Sequence, residues 1–228
     1  MLRFIAVLAT LVGVSVPSFA QSAGSLYVFA GAGVSNQEGP SGEMSVTYVT
    51  APGGTTQSWL VGGGVFLADV MSIEGEWSTT GWMKSTQPSR YGMTFNEERR
   101  DQFFSVLARF SFPRGARFRV EPVAGLIVTK PEAWSQVDYF DFEVPARLRE
   151  RGPRLQHQLD TTAGITFGCD ARIGGRHVAL LPYFRLSDTG VSGGRYDASS
   201  DHREIGAIYP GGYPKWTIRA GAALRVDF

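Results

Sequence analysis

Apolar and polar residues alternate with a period of two through much of this chain, and period two sets one row of side chains on each face of a β-strand. The clearest run is the last. In Trp216–Phe228 one face carries Trp216, Ile218, Ala220, Ala222, Leu224, Val226 and Phe228, and the other carries Thr217, Arg219, Gly221, Ala223, Arg225 and Asp227. A strand in a soluble sheet usually has ~5–6 residues, whereas a tilted strand that crosses a bilayer needs ~9–11. Comparable runs occupy Met71–Gly81, Gln102–Phe112, Phe118–Thr129, Gln158–Ala171 and His177–Ser187. Thr55–Phe66 alternates more weakly, and the glycines of Ser25–Ser35 leave its two faces unranked. The pattern predicts eight strands.

Their spacing alternates too. Leu67–Val70, Pro113–Arg117 and Arg172–Arg176 are short enough for hairpin turns, and the last contains Gly174-Gly175. Asn36–Gly54, Trp82–Asp101, Lys130–His157 and Asp188–Pro214 are long connections. Short turns at one end and long loops at the other predict an all-β, eight-stranded antiparallel up-and-down transmembrane barrel, with short periplasmic turns and long extracellular loops. Pro122 and Pro182 fall inside two strands on one shared face. Proline removes a ladder donor, so a bulge near the periplasmic rim is expected there.

The start of the chain has a different pattern. Arg3 precedes the uncharged, mostly apolar run Phe4–Val16, and Pro17-Ser18-Phe19-Ala20 offers a small-residue cleavage site. That is the layout of a secretory signal peptide over residues 1–20, leaving 21–228 as the barrel domain. Its removal takes Arg3 and brings 22 Lys+Arg level with 21 Asp+Glu, so a nucleic-acid partner is not expected. The single Cys169 excludes an internal disulfide or a cysteine metal cluster. There are 28 glycines in 228 residues, well above the usual ~7%, which suits tight turns and close strand packing. Gly31, Gly33 and Gly62–Gly64 are followed by no helix, so they do not form a phosphate loop.

Three stretches carry a resemblance. WTIRAGAALRVDF, ending on Phe228, resembles the C-terminal signal read by the outer-membrane assembly machinery, with Trp216, Ile218, Leu224, Val226 and Phe228 as its apolar positions. EPVAGLIV resembles a Pro-x-x-Gly strand motif, and SWLVGGGVFLADVMSIEGEW resembles a Gly-rich hairpin. Together they are similar to the OmpA-like superfamily of eight-stranded outer-membrane barrels, which includes outer membrane protein W and opacity-type porin-like proteins. The resemblance implies a monomer in the outer membrane, contacting its lipids and lipopolysaccharide. It assigns architecture rather than activity.

Candidate chemistry lies on the non-lipid face. Glu74, Glu76, Arg109, Arg119, Glu121, Asp160, Asp170, Arg185, Arg219 and Arg225 all fall there, five acidic and five basic. An eight-stranded interior is just wide enough for side chains to fill, so these charges are expected to pair and plug it. Setting Phe112 opposite Phe118 puts Arg109 opposite Glu121, as an ion pair. On the lipid face, Phe110, Phe112, Phe118 and Phe228 are expected at the periplasmic interface and Trp59, Trp77, Trp82 and Trp216 at the outer one. Arg147, Arg149, Arg151 and Arg154 in the third long loop are candidate contacts for lipopolysaccharide phosphates, which guanidinium groups match in a bidentate manner.

Evidence for catalysis is thin. The histidines are His157, His177 and His202; only His202, with Ser199, Ser200 and Asp201 beside it, suggests a loop triad. The spacing of Asp197 and Asp201 is too sparse for calcium. No catalytic residue, cofactor or metal is assigned. The first expectation is a non-enzymatic barrel serving envelope structure or surface interaction. A narrow channel for small or hydrophobic solutes comes second, and a lipid-modifying enzyme third.

Overall fold

The computed structural model describes residues 23–37, 41–44, 47–50, 53–88, 93–112, 118–139, 151–158, 161–175, 177–189 and 216–228. The expected signal peptide lies outside them. The strands are β1 (Leu26–Gln37), β2 (Ser41–Met44), β3 (Thr47–Thr50), β4 (Gly54–Ala68), β5 (Met71–Thr80), β6 (Met83–Pro88), β7 (Met93–Phe110), β8 (Phe118–Tyr139), β9 (Arg151–Gln158), β10 (Thr162–Gly174), β11 (Val178–Asp188) and β12 (Trp216–Asp227). Eight of these, in the order β5-β4-β1-β12-β11-β10-β8-β7, pair antiparallel, and β7 pairs with β5 to close a barrel.

The ladder shows how far the staves tilt. Ser72 on β5 faces Arg109, which faces Val123; Gly168, Arg185, Arg219, Ser35 and Thr56 follow around the wall. Thr56 is ten residues along β4 from Phe66, the direct partner of Ser72. A climb of that size per circuit of eight strands tilts them by ~40° to the barrel axis.

Sequence patterning and burial agree along the staves whose faces the sequence ranks. On β8 the outward row runs Phe118, Val120, Pro122, Ala124, Leu126 and Val128, and Lys130 comes next. Ten residues of rise at ~3.3 Å, tilted ~40°, make a band ~25 Å tall, the height of an outer-membrane apolar belt. Leu126 is 67% exposed and Val106 on β7 is 62% exposed. Those values suit a wall in contact with lipid. Exposed Phe110, Phe112 and Phe118 mark the turn end of the belt, and exposed Trp59, Trp77 and Trp216 mark the other. Phe228 is half-buried, its N–H donating to the Leu26 carbonyl.

The seam between β1 and β12 needs glycine. Gly33 stands opposite Gly221. A Cβ on Gly33 would lie 2.1 Å from the Ala220 carbonyl oxygen, and one on Gly221 would lie 2.3 Å from that of Ala32. Gly221→Val is therefore expected to prevent closure: the unboiled protein would migrate with the boiled one in a detergent gel. Faster migration of the unboiled variant, as for a closed barrel, would refute the role of the seam.

Three expectations are corrected. First, Trp82–Asp101 and Lys130–His157 are not merely loops. β7 and β8 run on past the belt, β6 pairs with β7 and β9 pairs with β8, so a four-stranded sheet β6-β7-β8-β9 rises from the rim. Along β7 both faces of this extension turn polar, as in Glu97-Glu98-Arg99-Arg100-Asp101, so that stretch carries no apolar alternation to read. Second, the prolines sit without a bulge. Pro122 stays in register opposite Cys169 and Pro182 opposite Ala222. The irregularity in the staves falls instead at Phe66/Ala68. Third, Phe112 bridges Val120, not Phe118, and Arg109 stands opposite Val123. Phe118 and Arg119 pair with β10, and residues 113–117 of the expected turn lie outside the described residues.

Candidate functional site

The barrel interior holds the densest chemistry. Period-two strands with apolar outer rows must turn their alternate residues inward, where charges need partners. Arg109 reaches across one diagonal step to Glu121 (Nη1 to Oε2, 2.8 Å). It grips Glu74 as a fork, Nε to Oε2 at 2.8 Å and Nη2 to Oε1 at 2.9 Å, and Nη2 lies 2.7 Å from Asp170 Oδ2. Arg185 binds both oxygens of Asp170 and places Nε 3.1 Å from Glu76 Oε2 on the opposite wall. Arg219 donates to Glu76 Oε1 at 3.4 Å and to Ser78 Oγ, with its guanidinium 4.6 Å from the Phe103 ring centre. Arg225 joins Glu121 at 3.1 Å to Asp227 at 2.7 Å and lies 3.8 Å from the Tyr27 ring centre. Tyr27 in turn donates to Glu74 at 2.8 Å.

The network has two members that the sequence did not single out. Arg172, expected in a turn, is on β10 and donates to Asp227 at 2.9 Å and to the Gly175 carbonyl at 2.8 Å. Asp227 was on the correct face but not singled out. The signal for both was parity: Arg172 is two residues beyond Asp170, and Asp227 two beyond Arg225. Conversely, Asp160 lies outside the described residues, and Arg119 is only half-buried at the turn-end mouth. Within this network the buried set is Arg109, Arg172, Arg185, Arg219 and Arg225 against Glu74, Glu76, Glu121, Asp170 and Asp227, equal in number; Glu97, Arg99 and Asp101 are buried farther along, in the extension of β7.

Beside this network, Tyr27, Phe29, Leu60, Phe66, Leu181, Tyr183 and Ala223 form an apolar cluster. Above it the lining turns to Gln37, Thr80, Thr129 and Thr217, with an Arg99–Asp101 pair at 2.7 Å. Arg109, Arg185, Arg225 and Glu121 are each 0% exposed, so no water-sized gap reaches them. At that level the interior is filled.

The other candidate residues are scattered. Arg147 and Arg149 lie outside the described residues, and Arg151 is on β9 rather than in a loop. Arg154 pairs with Glu98 and lies 4.7 Å from the Trp134 ring centre. Trp82 is not in the belt; it lies beneath Arg100 at 4.8 Å. His177 is exposed at the turn end, His157 is on β9, and His202, Ser199, Ser200 and Asp201 lie outside the described residues. No group of three or more His, Cys, Asp or Glu among the described residues is arranged to hold a metal.

A closed, tilted eight-stranded barrel that is apolar outside and ionic inside is an integral β-barrel of the outer-membrane type. A solved structure shares that fold, and a second gives a weaker match. The outer membrane protein OprG from Pseudomonas aeruginosa is 10% identical, matches over 91% of this chain and 99% of its own, and gives a TM-score of 0.56. The outer membrane protease OmpT from Escherichia coli is 10% identical over 94% of this chain and 99% of its own, with a TM-score of 0.48. At such identities the likeness is one of fold, which does not carry activity with it. No protein-family model matches the sequence, and no curated protein matches it.

Proposed function

We propose that this protein is a non-conducting outer-membrane barrel that serves the envelope as a structural element and through the sheet it raises beyond the bilayer. The observation that carries this reading is the filled interior: five arginines and five carboxylates, equal in charge, occlude the lumen. Charges held in bidentate, mutually shared pairs are not free to bind a passing solute. No catalytic role is proposed for the histidines. Residues 1–20 act as the export signal, Trp216, Ile218, Leu224, Val226 and Phe228 as the assembly signal, and Arg147, Arg149, Arg151 and Arg154 are candidate contacts for lipopolysaccharide.

The test is electrical. Purified, refolded protein inserted into a planar bilayer is expected to give no steady current under applied voltage. A reproducible unitary conductance would overturn the reading and favour the narrow channel.

A further inference from the structure

The sheet β6-β7-β8-β9 continues the strands that line the lipid, so its outward face borders whatever covers the acyl chains on that side. That face is built around two aromatic–guanidinium stacks. Arg100 lies 4.8 Å from the Trp82 ring centre, and Arg154 lies 4.7 Å from that of Trp134. A carboxylate fixes each guanidinium from the side: Glu132 holds Arg100 at 2.7 Å, and Glu98 holds Arg154 while also meeting Lys84 at 2.8 Å. Gln102 adds its amide to Glu132 at 2.6 Å. All four stacked side chains remain partly accessible.

Two features of this surface select its partner. Its cations already have carboxylate partners, so a free phosphate gains little from them in water. Its Trp rings and fixed N–H donors present flat, amphipathic plates with leftover hydrogen-bonding capacity, which suits a hydroxylated ring with an apolar face. Position supplies the rest: the face begins immediately above Lys130, at the margin of the apolar belt.

We propose that this outward face binds the core oligosaccharide of lipopolysaccharide, through Trp82 and Trp134 stacked with Arg100 and Arg154. The inference rests on the proposed placement of this sheet outside the membrane, not on the barrel being closed to ions. Contacts are made to sugar rings and hydroxyls, and the lipid A phosphates contribute little.

The experiment is isothermal titration of the refolded barrel in detergent with core oligosaccharide freed from lipid A by mild acid. Binding is expected, with a loss of about tenfold in affinity for Trp134→Ala or Trp82→Ala and near-complete retention for Trp134→Tyr. Heat-modifiable migration verifies that each variant is folded. Inorganic phosphate is not expected to compete. Unchanged affinity in both alanine variants would overturn the proposal. So would absence of oligosaccharide binding, or binding only to lipid A that raised salt abolishes. A conducting barrel that still bound the oligosaccharide would refute the closed lumen and leave this inference standing.

Discussion

Arg109→Leu is expected to destabilise the barrel by ~3–5 kcal/mol, measured as the denaturant-induced unfolding free energy in lipid vesicles. The side chain touches Glu74, Glu121 and Asp170, all buried. Removing it takes from Glu74 its nearest cation and leaves Glu121 to Arg225 alone and Asp170 to Arg185 alone, around a space too dry to make up the loss. The cost is the desolvation of the abandoned charges rather than the worth of the lost hydrogen bonds. Arg154→Leu is the control. Arg154 is half-exposed, and breaking its pair with Glu98 is expected to cost less than ~1 kcal/mol. If Arg109→Leu cost no more than that control, the lumen would have to be wet enough to rehydrate the carboxylates, and the closed-interior reading would fail with it.

Val106→Arg is the second large effect. Val106 lies on the outward row of β7, between Phe110 at the turn-end margin and Gln102 just past the other. An arginine near the middle of the apolar belt is expected to cost ~2–4 kcal/mol in lipid, and Gln102→Arg, two outward positions along the same strand, ~0–1 kcal/mol. On a soluble protein both would be surface changes within ~0.5 kcal/mol of neutral. The difference between the two variants therefore measures the membrane itself. Equal costs would mean that the exposed row faces water.

The staves were legible because their two faces differ in chemistry. Trp216–Phe228 predicts β12 to within a residue, and Met71–Gly81 predicts β5 equally well. Where both faces are polar, the same periodicity exists without contrast. Glu97, Arg99 and Asp101 point inward while Glu98 and Arg100 point outward, and nothing in their polarity separates the rows. That is why the extension of β7 and β8, and with it the surface around Trp82 and Trp134, was hidden. The interior charges were readable as a set but not as a network. Glu76 and Arg185 are on strands that do not adjoin, and only closure of the barrel brings them within 3.1 Å.

The register of β7 on β8 teaches something else. Reading the turn from sequence sets Arg109 opposite Glu121, whereas it stands opposite Val123, two residues away. Alternation cannot detect such an error, because it works as a parity check that rejects odd displacements and passes even ones. Sliding β7 by two keeps Phe104, Val106 and Phe110 in lipid, yet breaks the arrangement in which Arg109 meets Glu74, Glu121 and Asp170 together. The buried ions thus discriminate among alignments that the hydrophobic pattern accepts equally. Each spans the lumen to strands other than its neighbours, so a slip anywhere in the wall disturbs pairs elsewhere. For a chain inserting into a bilayer, where many alignments bury the same apolar surface in lipid, the arginines rank the outcomes.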